Sequence, residues 1–248
     1  MKYQKIIFDM DGTLTPSRSP AEPALVEAFE KLCNALTVAV ISGADVLQMK
    51  KQMPFDAVWS RGAPLALMAL NGNVCIENGE EKWRNVLFWR DKLAILEHIR
   101  ALRNAFPRGI TDESDLVEDR TGQVSFSFIG HNAPKEIKAA FDKEGILRSE
   151  ALAKVPFKHP NIVIKVGGTT CLDYIPRNGT KANNVARLLG EENLGDALFV
   201  GDNLAPGGND AVMVGITDCL GVKNPRETLA VINGLLRGKM VREVIPAS

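Results

Sequence analysis

Three short apolar runs set the rhythm of this chain, and each ends in a polar or glycine-bearing turn. Lys5-Ile6-Ile7-Phe8, Leu36 to Ile41 and Ala197 to Val200 are aliphatic and β-branched without alternation. That is the pattern of strands buried on both faces. Helical periodicity lies between them. Ser19-Pro20-Ala21-Glu22 reads as a helix start, and Leu25, Phe29, Leu32 and Leu36 mark one apolar face. A second helix is expected over 44–53. A third opens at Lys181 behind Thr180 as N-cap, with Val185, Leu188 and Leu189 on one face. Strands joined by crossover helices predict an α/β fold with a parallel, Rossmann-like sheet.

The middle of the chain reads differently. Residues 91–104 predict an amphipathic helix through Leu93, Leu96, Ile99 and Leu102. Gln123 to Ile129 alternates strictly, so a strand with one apolar and one polar face is expected. A further helix opens at Asn132-Ala133-Pro134, and strands over 162–166 and 171–175 flank Gly167-Gly168. These elements predict an α+β domain of residues 82–178, inserted into a core domain of residues 1–81 plus 179–248. Asn71-Gly72 and Asn78-Gly79 bracket Val74-Cys75-Ile76, a hairpin signature near that boundary.

Composition narrows the function classes. A chain of 248 residues, 45% hydrophobic, suits one large or two smaller domains with proper cores. Thirty basic and thirty acidic side chains leave no electrostatic case for a nucleic-acid partner. No apolar stretch approaches a membrane span, and the N-terminus runs straight into a strand, so neither a membrane segment nor a signal peptide is expected. Cys33, Cys75, Cys171 and Cys219 lack CxxC spacing, which suits reduced thiols in a cytoplasmic protein. Three histidines without an HExxH pattern argue against a zinc hydrolase.

The chemistry sits where the apolar runs end. Asp9-Met10-Asp11-Gly12-Thr13 follows the first run directly. Two carboxylates this close require a cation or a shared proton, and Mg²⁺ is the economical partner. Ser42 ends the second run, and its hydroxyl can hold a phosphate oxygen. Lys181 opens a helix whose N-terminus favours anions. Asp202 ends the third run, followed by Pro206-Gly207-Gly208-Asn209-Asp210. The series acid pair, hydroxyl, lysine, acid points to phosphoryl transfer.

In that order, Asp9-x-Asp11-Gly12-Thr13, Ser42, Lys181 and Gly201-Asp202 resemble the haloacid dehalogenase superfamily. The subgroup with a large cap between the second and third motifs is closer, and within it the eukaryotic-type phosphomannomutases. Arg120-Thr121-Gly122, Ile129-Gly130, Gly167-Gly168, Asp173 and the Pro-Gly-Gly-Asn-Asp run carry that closer likeness. The resemblance implies that Asp9 is the nucleophile and Asp11 the general acid and base. It implies that Mg²⁺ is held by Asp9, the Asp11 backbone carbonyl and Asp202, with Asn209 and Asp210 in support. Ser42 and Lys181 would hold the phosphoryl oxygens, and the inserted domain would act as the cap.

For a small phosphorylated substrate, Arg18, Arg120 and Asp173 match the expected binding positions. His131 and Lys138 stand where arginines are expected, and Cys171 where a serine is. Lysine keeps the charge without the bidentate fork, and histidine is mostly neutral at pH 7. The expected function is therefore a Mg²⁺-dependent phosphatase acting on a small phosphate ester, with a sugar phosphate foremost. A phosphohexomutase is the alternative. A non-catalytic phosphate-binding protein ranks below both, because every acid of the series is present. A homodimer is compatible with this reading.

Overall fold

The structure, a computed structural model, describes residues 3–109, 112–238 and 244–247. The chain divides into two compact units, one of residues 1–84 and 179–248, the other of 85–178.

The first unit is built on seven strands: β1 (Lys5–Asp9), β2 (Thr37–Ile41), β3 (Leu65–Ala69), β4 (Val74–Glu77), β5 (Glu80–Arg84), β10 (Ala197–Gly201) and β11 (Asp218–Gly221). Their order is β11-β10-β1-β2-β3-β4-β5. The first five in that order are parallel, and β4 and β5 add an antiparallel edge. Both faces are covered, which is why the strand sequences show no alternation. Ile6 and Phe8 of β1 pack with Phe29 and Leu32 of α1 (Pro23–Ala35) and Ile232 of α8 (Pro225–Leu236). Ile7 packs on the other side with Phe199 and Val185 of α7 (Lys181–Leu189). Each such side chain contributes about 1.5–3 kcal/mol by leaving water.

Two boundaries differ from expectation. Residues 16–19 close a turn, Ser19 N–H donating to Pro16 O, so α1 begins at Pro23 rather than near Ser19. Residues 82–84 belong to β5, where Trp83 and Arg84 pair with β4, so they lie with the core sheet rather than with the insert. Two short helices follow β2: α2 (Val46–Gln52), capped by Asp45, and α3 (Phe55–Ser60). The last described residues, 244–247, lie against β11. Ile245 pairs antiparallel with Cys219, and Ala247 N–H donates to Asp218 Oδ1.

The second unit contains β6 (Val117–Asp119), β7 (Val124–Ser127), β8 (Ile162–Gly167) and β9 (Cys171–Pro176), all antiparallel in the order β6-β7-β9-β8. Its helices are α4 (Trp89–Ala105), α5 (Lys135–Phe141) and α6 (Ile146–Lys154). One sheet face supplies Val124, Phe126, Leu172 and Tyr174 to a core shared with Ile95, Ile99 and Leu102 of α4. The opposite face is polar, with Glu118, Ser125, Asp173 and Lys165 in cross-strand register. Helix α6 escapes the sequence because it starts at the left-handed Gly145, and its first-turn N–H groups of Leu147 and Arg148 are taken by Asp142, three residues before that glycine. Among the described residues, no helix is long and apolar enough to cross a membrane.

Candidate active site

Register alone gathers the acids. Phe8 pairs with Val200 and Asp9 with Ile41, so Asp9, Ser42 and Asp202 leave neighbouring parallel strands at the same carboxyl edge. Ligands bind open α/β sheets at that edge. Gly12 has φ +85°, which lets the chain double back behind Asp9 with Gly12 N–H donating to Thr15 O.

Lys181 is the electrostatic hub. Thr180 caps α7 by accepting from Asn183 N–H and so places Lys181 in the first turn. The lysine is 1% exposed. Its Nζ donates to Asp9 Oδ1 at 2.5 Å and to Asp210 Oδ1 at 2.8 Å. Burial pushes the Asp9 carboxyl up to about 7; Lys181 opposes this, and Asp210 and Asp202 reinforce it. Burial also raises Asp202, with Asp210 adding to it. Burial alone would lower Lys181, but Asp9 and Asp210 outweigh it and hold the ammonium charged.

Carboxylate oxygens of Asp9, Asp202 and Asp210 come within 4.8 Å of one another. Three carboxylates around one ammonium leave an excess of negative charge that a hard, oxygen-seeking divalent cation would balance, so the donor set fits Mg²⁺. Asp210 was expected only to support such a site, yet it belongs to the cluster itself. Asn209 Nδ2 donates to Asp210 Oδ1 at 3.3 Å. The Asp11 carboxylate lies outside the cluster.

Asp11 is held separately. Its Oδ1 accepts from Arg18 N–H at 2.7 Å and from Gln52 Nε2 at 3.0 Å. Arg18, expected to bind substrate, is seen to contribute this backbone donor, from a left-handed φ of 53°. Gln52 escaped the sequence reading: it lies 41 residues from Asp11 at the end of a short helix, and no motif flags it.

Ser42 is buried, and its Oγ accepts from Ala44 N–H at 3.1 Å; among the described residues its hydroxyl proton meets no acceptor. Ser42 O receives Asn71 N–H from an unusual turn. Leu70, Asn71 and Gly72 are all left-handed, with φ of 52°, 59° and 84°. Their carbonyls are taken in succession by Asn73 Nδ2, Asn184 Nδ2 and Trp83 Nε1. Asn73 Nδ2 also donates to Gly179 O, just before Lys181.

In the second unit, three of the expected substrate residues share the polar sheet face. Ser125 Oγ donates to Asp173 at 2.6 Å. Burial raises the Asp173 carboxyl, while that bond and the Arg120 and His131 charges oppose it. Arg120 Nε and Nη2 both donate to Glu118 Oε2. His131 Nδ1 stands 3.7 Å from Glu118 Oε1, and its Nε2 is 3.2 Å from Ser125 O. Glu118 was not anticipated, although it balances charge on both expected anion-binding residues. Lys138 is engaged otherwise, its Nζ donating to His131 O at 2.7 Å. Cys171 Sγ lies 3.9 Å from His131 Nδ1.

The family model of eukaryotic phosphomannomutase matches residues 25–238 of this chain. A phosphomannomutase of Dendrobium officinale is 29% identical over 219 residues, covering 83% of this chain and 82% of its own length. One from Solanum lycopersicum is 27% identical over 250 residues, covering 94% of each. Among solved structures, a Streptococcus mutans protein superposes with a TM-score of 0.68 at 16% identity, over 95% of this chain and 99% of that one. That last likeness concerns the fold alone.

Proposed function

From the premise that this chain belongs to the eukaryotic phosphomannomutase family, we propose that it is a Mg²⁺-dependent phosphotransferase of sugar phosphates, acting as a phosphohexomutase. The sequence alone favoured a phosphatase; the named relatives support the mutase better. The observation that carries the phosphoryl chemistry is the Asp9–Lys181–Asp210–Asp202 cluster beside a separately held Asp11.

Lys181 holds Asp9 in one orientation and favours its ionised, nucleophilic form. Asp9 attacks phosphorus, the bond from phosphorus to the sugar oxygen breaks, and that oxygen takes a proton from Asp11. Asp11, now a carboxylate, accepts the proton of the sugar hydroxyl that attacks the aspartyl-phosphate next. Asp9, the Asp11 carbonyl and Asp202 would hold Mg²⁺, with Asp210 beside them; the ion supplies charge neutralisation between an anionic nucleophile and an anionic phosphate. Ser42 offers its free hydroxyl proton to a phosphoryl oxygen.

A phosphatase remains the second reading because of the second unit. Glu118 already pairs Arg120 and faces His131, and Lys138 is committed to a carbonyl. These groups grip a second phosphate less well than free arginines would. The test is to supply hexose 1- and 6-phosphates with and without a hexose bisphosphate. Interconversion that needs the bisphosphate supports the mutase; phosphate release without interconversion supports the phosphatase. Neither reaction would reject both readings.

A further inference from the structure

We propose that Gln52 is a positioning residue for the acid–base step: it fixes which oxygen of Asp11 faces the reacting sugar oxygen. The proposal rests on the role given to Asp11 above. A carboxylate turns broadly about its last side-chain bond, so two equivalent oxygens compete for one place. Here Oδ1 accepts both Arg18 N–H and Gln52 Nε2, while among the described residues Oδ2 accepts nothing. The asymmetry leaves Oδ2 as the oxygen available to carry the proton.

Gln52 is itself immobilised. It is 3% exposed. Its Nε2 faces the Asp11 carboxylate, which when ionised can only accept, and Thr15 Oγ1 at 2.8 Å, while its Oε1 accepts from Gln48 Nε2 at 3.1 Å. Its backbone carbonyl accepts Ala21 N–H, tying α2 to the loop that carries Arg18. Both donors to Asp11 Oδ1 are therefore braced by the same residue. Helix α2 is capped by Asp45, three residues after Ser42, so one short helix links the phosphate-holding hydroxyl to the acid.

A residue acting through a general acid leaves a signature that a structural residue does not: its loss matters only when the leaving group needs a proton. The experiment compares phosphoenzyme formation, in single turnover, from a hexose bisphosphate and from acetyl phosphate. The sugar alkoxide must be protonated as it leaves; acetate need not be. Gln52→Met keeps the length and removes the donor. It should slow transfer from the sugar ester about 10- to 100-fold, and transfer from acetyl phosphate less than about threefold. In an Asp11→Asn background the same substitution should cost little more. Equal losses with both donors, or losses additive with Asp11→Asn, would overturn the proposal. If Asp11→Asn itself slows both donors alike, the acid–base role of Asp11 falls, and this proposal with it. Gln52→Glu keeps the shape and should show the same ester-selective loss, so it decides the matter if the methionine variant does not fold.

Discussion

A Cβ placed on Gly12 would stand 2.8 Å from Asp202 Cγ. The turn behind Asp9 and the Asp202 carboxylate thus occupy space that only a glycine leaves open. Gly12→Ala should push Asp202 away from Asp9 and Asp210 and strain a backbone at φ +85°. The expected outcome is Mg²⁺ binding weakened about 10- to 100-fold, with a stability loss of about 1–2 kcal/mol. Calorimetric titration with Mg²⁺ and a denaturation curve check the two parts separately.

Asp9→Asn should abolish phosphoenzyme formation and leave the fold intact. The amide keeps the shape and loses the nucleophilic charge, while Asp210 still pairs Lys181. Trapping the phosphorylated protein after acid quench is the measurement. A phosphoenzyme in the variant would reject Asp9 as nucleophile.

The second unit should lose stability as pH falls through the range of an ordinary histidine. His98 is buried between two partners: Nε2 lies 2.7 Å from Val155 O and Nδ1 2.8 Å from Tyr174 Oη. The neutral ring satisfies both, Nε2–H donating to the carbonyl and Nδ1 accepting from the phenol. Burial holds its pKa below 6.5, against the pull of the Val155 carbonyl. The unfolded chain therefore takes up the proton first, so this stabilisation is complete above pH 6.5 and is lost below it. Hydrogen exchange in 85–178 at pH 7.5 and 5.5 tests the sign, and His98→Gln should flatten the difference.

Arg148→Met should destabilise the second unit by about 3–5 kcal/mol. The guanidinium is 1% exposed. It donates to Asp142 Oδ2 and to the carbonyls of Asp142, Gly167, Gly168 and Cys171. Removing it takes the balancing charge from Asp142, which among the described residues keeps only the Leu147 and Arg148 N–H donors, and opens the turn between β8 and β9. Chemical denaturation followed by hydrogen exchange around 142–171 measures both effects.

Thr121→Asn should stabilise. Thr121 is β-branched and holds a left-handed φ of 69°, a conformation that asparagine tolerates better. A gain of about 1 kcal/mol is expected, read as a raised thermal midpoint.

The strand-end placement of Asp9 and Asp202 was legible because a charge at the end of an apolar run has few structural reasons to be there, and that of Lys181 because Thr180 marks a helix start. The parallel core was legible for the same reason, since uninterrupted β-branched runs have few other uses. Gln52 and Glu118 were not. Each is a common residue whose role depends on a partner from another element or across a strand pair, and no local period marks such a meeting. Arg148 misleads in a further way. A charged residue in a helical pattern reads as solvent-facing, and only the ring of carbonyls around it explains its burial.

The pairing of β1 bears on how the chain acquires its shape. Its Phe8 lies beside Val40, reached within the first fifth of the chain, and beside Val200, reached only near the end. The central sheet therefore stays half built during synthesis, with one side of β1 exposed until β10 arrives. The insert has no such wait, because all four of its strands and its three helices lie within residues 89–176. Contacts of short sequence separation close sooner than distant ones. The natural order of assembly thus runs from the inside of the sequence outward, with the insert complete before the domain that contains it, and the strand that ends in Asp9 among the last to be enclosed although it emerges among the first.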